Sequence, residues 1–135
     1  MSDQIEEIRV AFADALAVID GLHTDPYIVE GVRPPHAMID YRVAYDLTFG
    51  GAGPDAYEFT VKVYALRASA EQSQKLFDGL RDPRNLKSIK YVLQNDAHLA
   101  SLIDYVRVVD ADDVVVVTVG NADYLMCSFN CEVVF

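Results

Sequence analysis

Basic residues are scarce in this sequence. Its 135 residues include 11 Lys and Arg against 21 Asp and Glu, which gives a formal net charge of −10 at pH 7. Sequence-independent affinity for nucleic acid comes mainly from cations that neutralise phosphates. The composition therefore argues against a protein that holds DNA tightly, although an acidic surface still suits one past which DNA slides.

Cysteine is also rare. Cys127 and Cys131 stand four residues apart in a stretch of alternating apolar residues. Four residues of strand span roughly 13 Å, whereas a disulfide needs its two Cα atoms within about 7 Å. A zinc site would need closer pairs and more ligands. We expect both cysteines to be reduced core residues on one face of a strand.

Long apolar runs are missing. Residues 1–9 are polar and acidic, and no run approaches the roughly 20 apolar residues that span a membrane. We expect no signal peptide and no membrane partner, and a protein that is made and kept in a cytoplasm. A chain of this length buries roughly 68% of its unfolded surface. With 52% hydrophobic residues, it predicts a single domain, residues 1–135.

Patterns that carry chemistry are absent as well. His23, His36 and His98 are scattered, and we expect them to be surface or helix-capping residues. The acidic stretch at residues 110–113 lacks the Gly and the distal Glu of a calcium loop. The Gly-rich stretch at residues 49–56 lacks the Lys-Ser/Thr pair of a phosphate loop. We predict no enzyme activity, no cofactor and no metal.

The periodicities that are present predict an α+β fold. Apolar residues at helical spacing predict a helix over residues 2–22. Strands follow, a short extended piece at residues 27–29 and longer ones at 36–49 and 57–65. Helices are predicted between residues 69 and 103, and strands at 105–109, 114–119 and 124–135. We expect an antiparallel sheet covered by helices on one face.

The stretch VVVVTV, residues 114–119, is apolar on both faces. A strand of this kind calls for cover on both sides. Either helices cover one side and strands the other, or a second subunit does.

A Gly-rich loop joins two alternating strands and is longer than a tight hairpin needs. Its backbone is permissive and it has no apolar anchor, as in loops that become ordered on a partner. The alternative is an incidental flexible hairpin tip. The loop residues are Gly50, Gly51, Ala52, Gly53, Pro54, Asp55 and Ala56.

Three stretches carry a resemblance to a known family. They are YDLTFGGAGPDAYEFTVKVYAL from residue 45, SIKYVLQNDAHLASLID from residue 88, and VGNADYLMCSFNCEVV from residue 119. In order and spacing they resemble small neck proteins of long-tailed (siphovirus) actinobacteriophages, namely tail terminators and related head-to-tail connectors. The resemblance covers residues 38–135. The neutral tip of the loop departs from the group, which often has charged residues there.

The resemblance implies a structural protein in the neck of the virion, at the head-tail junction, assembled in the host cytoplasm. A tail terminator forms a homo-oligomeric ring, expected to be a hexamer, that caps the tube of the major tail tube protein. It stops tube polymerisation and meets the head-side neck proteins, while genome DNA passes through its lumen without specific binding. The Gly50–Ala56 loop would become ordered against one of these partners.

Charged residues are the candidates for the ring contacts and the lumen. The alternatives to a tail terminator are a head-side connector (an adaptor or stopper) and a small ligand-binding or enzymatic α+β domain. The candidates for ring contacts or lumen are Arg67, Arg81, Arg84, Arg107, Asp110, Asp112 and Asp113.

Overall fold

The computed structural model describes residues 4–29, 31–44, 56–67 and 70–134. They form four helices and six strands, in keeping with the predicted α+β class. In chain order these are α1 (Gln4–Leu16), β1 (His23–Asp25), β2 (His36–Ala44), β3 (Ala56–Leu66), α2 (Ala70–Arg81), α3 (Ile89–Gln94), α4 (Ala97–Leu102), β4 (Tyr105–Ala111), β5 (Val115–Val119) and β6 (Ala122–Val134).

The first helix and the first strand differ from their predictions. The helix ends at Leu16 rather than Leu22, and turns lead to Gly21, whose φ of +77° suits a residue without Cβ. The first strand is His23–Asp25, whereas residues 27–29 form no strand. β1 also pairs in parallel with β2, so the sheet is mixed rather than wholly antiparallel. Local periodicity could not show this because β1 is only three residues long.

Helices pack against one face of the sheet, as predicted. The strand residues in the hydrophobic core alternate along β2, β3 and β6 and share that face. Phe12 of α1 stacks on Phe59 of β3, with ring centroids 5.1 Å apart. Cys127 and Cys131 are free and buried on the same face, as expected. On the opposite face, polar residues such as Lys62 and Asn130 alternate with them.

The acidic stretch Asp110–Asp113 does not turn the chain back between two paired strands. β4 pairs with the C-terminal half of β6 and β5 with its N-terminal half, both antiparallel and on the same side of β6. A register shift separates Val108 from Asp110, and the backbone N–H of Asp112 still donates to Ser128 O at 2.8 Å. Thus β4 and β5 lie end to end as one interrupted edge strand.

The sheet order is β1-β2-β3-β6, followed by β4 and β5 along the outer side of β6. A row of paired residues runs straight across it through His23, His36, Tyr64, Met126 and Val115. β1 and β5 therefore lie at opposite edges of the sheet and at the same level.

Candidate interaction surface

The β5 edge, Val115–Val119, is an exposed apolar part of the sheet. β-branched side chains favour a strand here, and a turn at Gly120 (φ +63°) returns the chain into β6. Val115 is 44% exposed on one face and Val116 is 52% exposed on the other. Within the described chain, neither helices nor strands provide the cover that the sequence predicted for these two residues. The second-subunit alternative stays open.

Side chains bind single backbone groups elsewhere along the sheet. Gln94 of α3 accepts a hydrogen bond from the Val108 backbone N–H of β4, at 3.1 Å. Arg9 of α1 donates to the carbonyl oxygens of Ile39 (2.8 Å) and Pro26 (3.0 Å) beside β2. For β5, no hydrogen bond from another element reaches the outer edge within residues 4–29, 31–44, 56–67 and 70–134. Folded proteins usually blunt such an edge with charge, proline or a covering element.

The acids before β5 hold the interrupted strand in place. Asn130 Nδ2 donates to Asp110 Oδ1 at 2.6 Å and to Asp112 Oδ1 at 3.2 Å. Asp113 is exposed and makes no ion pair with a described residue. Where the structure describes the chain, no group of three or more His, Cys, Asp or Glu residues could hold a metal ion. These hydrogen bonds tie the segment between β4 and β5 to β6.

Two of the four predicted arginines are engaged within their own chain. Arg67 pairs with Asp123 at 2.8 Å, at the closed end of the β5–β6 hairpin. Thr118 Oγ1 donates to the same carboxylate at 2.6 Å, and this hydrogen bond, together with Arg67, holds the pKa of Asp123 below its ordinary value. Arg84 pairs with nearby Asp82 in the loop after α2. The charge beside Thr118 is thus neutralised inside the chain.

The other two predicted arginines do not meet. Arg107 lies on β4 opposite Glu132, on the polar face of the sheet. Arg81 ends α2 and lines a hollow with Asp110 and Val108. The structure therefore brings Arg81 and Asp110 to one hollow. It does not bring all the predicted arginines and aspartates together at one site.

The sequence did not predict a buried histidine that pairs with an aspartate. His36 is fully buried rather than at the surface, and its Nε2 lies 2.6 Å from Asp25 Oδ2. Its Nδ1 accepts from the Arg33 backbone N–H at 3.1 Å, so Nε2 carries the proton that is donated to Asp25. The pairing depends on the parallel register of β1 with β2, for which the sequence held no signal. It ties the Pro-rich segment to the sheet edge.

The polar face of the sheet carries its own charge pairs. Arg42 binds Glu58 and lowers the pKa of that carboxyl, while Tyr105 donates to Glu132, which raises the pKa of Tyr105. A hollow lined by Glu58, Asp110 and Glu132 lies between these groups. Val109, Asn130 and Cys131 complete its lining.

Gly50–Asp55 of the predicted partner-binding loop lie outside the described residues, and Ala56 is the first residue of β3. The predicted strand residues 45–49 also lie outside them. No helix in the described part of the chain is long and apolar enough to cross a membrane.

Comparison with protein-family models finds no family that matches this chain, and comparison with curated proteins finds no significant match.

Proposed function

We propose that this protein is a phage tail terminator, a non-enzymatic ring protein that caps the tail tube, stops its polymerisation and joins the tail to the neck of the head. The proposal starts from the order of the three resembling stretches. Its partners are further copies of the chain, the major tail tube protein and the head-side neck proteins.

The observation that carries the proposal is the uncovered β5 edge. It presents apolar side chains on both faces and an unpaired strand edge, whereas Gln94 accepts a hydrogen bond from the backbone of the adjoining β4. Residues 114–119 carry no charge. Since copies with a charge of −10 repel one another, an uncharged segment is where two of them approach at least cost. These properties suit a part that assembles with itself.

The acidic composition supports the same function. Genome DNA must pass through the ring without being retained. A surface with few cations releases few counterions on contact with DNA and gains little affinity from them. An acidic lumen therefore lets the genome slide.

Native mass spectrometry over a range of concentrations, with negative-stain imaging of the same sample, tests the proposal. We expect closed six-fold rings. Twelve-fold rings would point instead to a head-side connector, and a strict monomer, alone and with tail tube protein, would point to a ligand-binding domain. Val116→Lys should abolish the rings, whereas Val18→Lys, at a residue 68% exposed after α1, should not.

A second assay addresses the tube. Purified rings added to polymerising tail tube protein should bind the tube ends and shorten the tubes. Replacing the Gly50–Ala56 loop with Asn-Gly should leave folding and rings intact but abolish tube capping. Normal capping by this variant would refute the role of the loop while leaving the ring itself standing.

A further inference from the structure

The connection between α2 and α3 concentrates the basic residues of this acidic chain. Residues 81–90 hold four of the 11 basic residues and one of the 21 acidic residues. We call residues 84–87 the basic loop. Within it Leu86 stands between the exposed cations Arg84 and Lys87 and is itself 68% exposed. The loop thus presents an apolar side chain flanked by positive charge.

Two hydrogen-bonded turns fix the conformation of the basic loop. The backbone N–H of Asn85 donates to Asp82 O, and that of Ser88 donates to Asn85 O, both at 3.0 Å. The side-chain oxygen of Asn85 also accepts from the backbone N–H of Lys87 at 2.9 Å. Because the backbone around Leu86 is already ordered, a contact with this side chain loses less conformational entropy.

The ion pairs that Arg84 and Lys87 make in their own chain leave both cations available. The side chain of Arg84 is 90% exposed beside Asp82, and that of Lys87 is 68% exposed beside Asp20. Exposed pairs of this kind contribute little to stability. Each cation also has further N–H groups that can bind a second carboxylate.

A hollow between α1 and α4 has the complementary character. Its volume is about 430 Å³. Its lining consists of Glu6, Glu7, Val10, His98 and Leu102. Val10 and Leu102 provide apolar surface, whereas Glu6 and Glu7 are exposed and make no ion pair with any residue that the structure describes. The hollow therefore suits an apolar side chain that is flanked by cations.

The basic loop and the hollow lie toward opposite ends of α1. Lys87 Nζ is 3.7 Å from Asp20 Oδ2, in the turns that follow the helix, whereas Glu7 is in the first turn of the helix. The helix axis rises about 14 Å between Glu7 and Leu16. Leu86 is accordingly not among the residues that line the hollow of its own chain.

We infer that Leu86 of one copy occupies the α1–α4 hollow of a second copy, with Arg84 and Lys87 facing Glu6 and Glu7. Charge complementarity identifies the occupant. Each copy carries a charge of −10 and repels the others, so a contact is favoured where cations of one copy meet acids of the next. The contact uses helix surfaces rather than the β5 edge, and it holds whether or not the protein caps a tail tube.

Carbodiimide cross-linking of the unmodified protein tests the contact. This reagent joins a lysine to a carboxylate that touches it, and mass spectrometry of a mixture of unlabelled and ¹⁵N-labelled protein shows whether the link is between copies. Lys87 should link to Glu6 or Glu7 of the other copy and to Asp20 of its own. Links from Lys87 to Asp20 alone would overturn the inference.

Lys75 is the internal control for this experiment. Its side chain is 74% exposed, comparable with that of Lys87, and it pairs with Glu71 in α2. We expect its links to stay within the chain. Links from Lys75 to residues 6 and 7 at the yield of Lys87 would show unspecific encounters and would also overturn the inference.

Charge exchange provides an independent test, read by sedimentation velocity. Arg84→Glu with Lys87→Glu, and Glu6→Lys with Glu7→Lys, should each weaken association about tenfold, because each pair places like charges together. The variant with all four changes keeps the net charge of −10 and should recover most of the loss. A fourfold variant as weak as the two losses combined would contradict the contact.

A matched control separates this contact from general repulsion. Arg42→Glu with Lys62→Glu, on the polar face of the sheet, changes the net charge as much as the reversed basic loop does. It should weaken association clearly less, and an equal loss would contradict the inference. If the reversed loop instead loses binding to a DNA duplex and associates as before, the basic loop binds nucleic acid and the inference is wrong. Circular dichroism checks that each variant folds.

Discussion

Phe129→Ala tests whether the sheet packs as the register requires. Phe129 is 1% exposed and lies on β6 between Val61 of β3 and Ala111 of β4. Returning such a side chain to water forfeits ~1.5–3 kcal/mol. The cavity adds to this because flanking strands cannot close over it, and Phe→Ala changes in cores cost ~3–5 kcal/mol in total. We expect the free energy of unfolding to fall by that amount.

Urea unfolding followed by circular dichroism measures the effect. With a slope of ~2 kcal/mol per molar, the midpoint should fall by about 2 M. The measurement belongs at a concentration where the protein is monomeric, because association adds its own stabilisation. Val116→Ala on β5 is the control and should cost less than ~1 kcal/mol, since Val116 is half-exposed. An equal, small loss for both variants would refute the assignment of this face to the core.

Three further predictions concern single groups. Burial raises the pKa of Cys131 to about 12, so iodoacetamide at pH 8 should label it in urea but not in the folded protein. Mass spectrometry measures the labelling, and labelling of the folded protein would contradict the burial. Thr118→Val should raise the pKa of Asp123, read by carbon NMR titration, since the Thr118 hydrogen bond is the main cause of its depression. The stabilisation linked to that depressed pKa is present above the ordinary value of 3.8 and is lost as pH falls through the folded value; an unchanged pKa in the variant would contradict the hydrogen bond. Asp25→Ala should destabilise by ~1–3 kcal/mol, because it leaves the buried N–H of His36 without an acceptor, whereas Asp25→Asn keeps an acceptor oxygen and should cost less; equal losses in urea unfolding would argue against the bond.

The prediction of elements succeeded where periodicity was long. Alternation over β3 and β6 indicated both the strands and the face that holds Cys127 and Phe129. The helical spacing around Ile8 and Phe12 likewise identified the buried side of α1. In such segments each residue repeats the same local signal, so that errors at the ends do not alter the assignment.

The intrachain partners of the candidate site residues could not be predicted from the sequence. Arg67 and Arg84 were considered for ring contacts, yet each pairs within its own chain. Arg67 and Asp123 are 56 positions apart, and only the pairing of β3 with β6 brings them together. The charge of a residue does not by itself show whether it forms an ion pair within its own chain.

The sequence by itself determined the acidic character, the α+β class, the two reduced cysteines and an apolar strand in need of cover. Those properties follow from composition and from periods of two and 3.6 residues, which act locally. Only the tertiary structure decided that β1 is parallel, that His36 binds Asp25, that β4 and β5 share one side of β6, and that β5 lies at an edge. Strand order and register arise from packing between distant segments, and a local pattern fits several such pairings equally well.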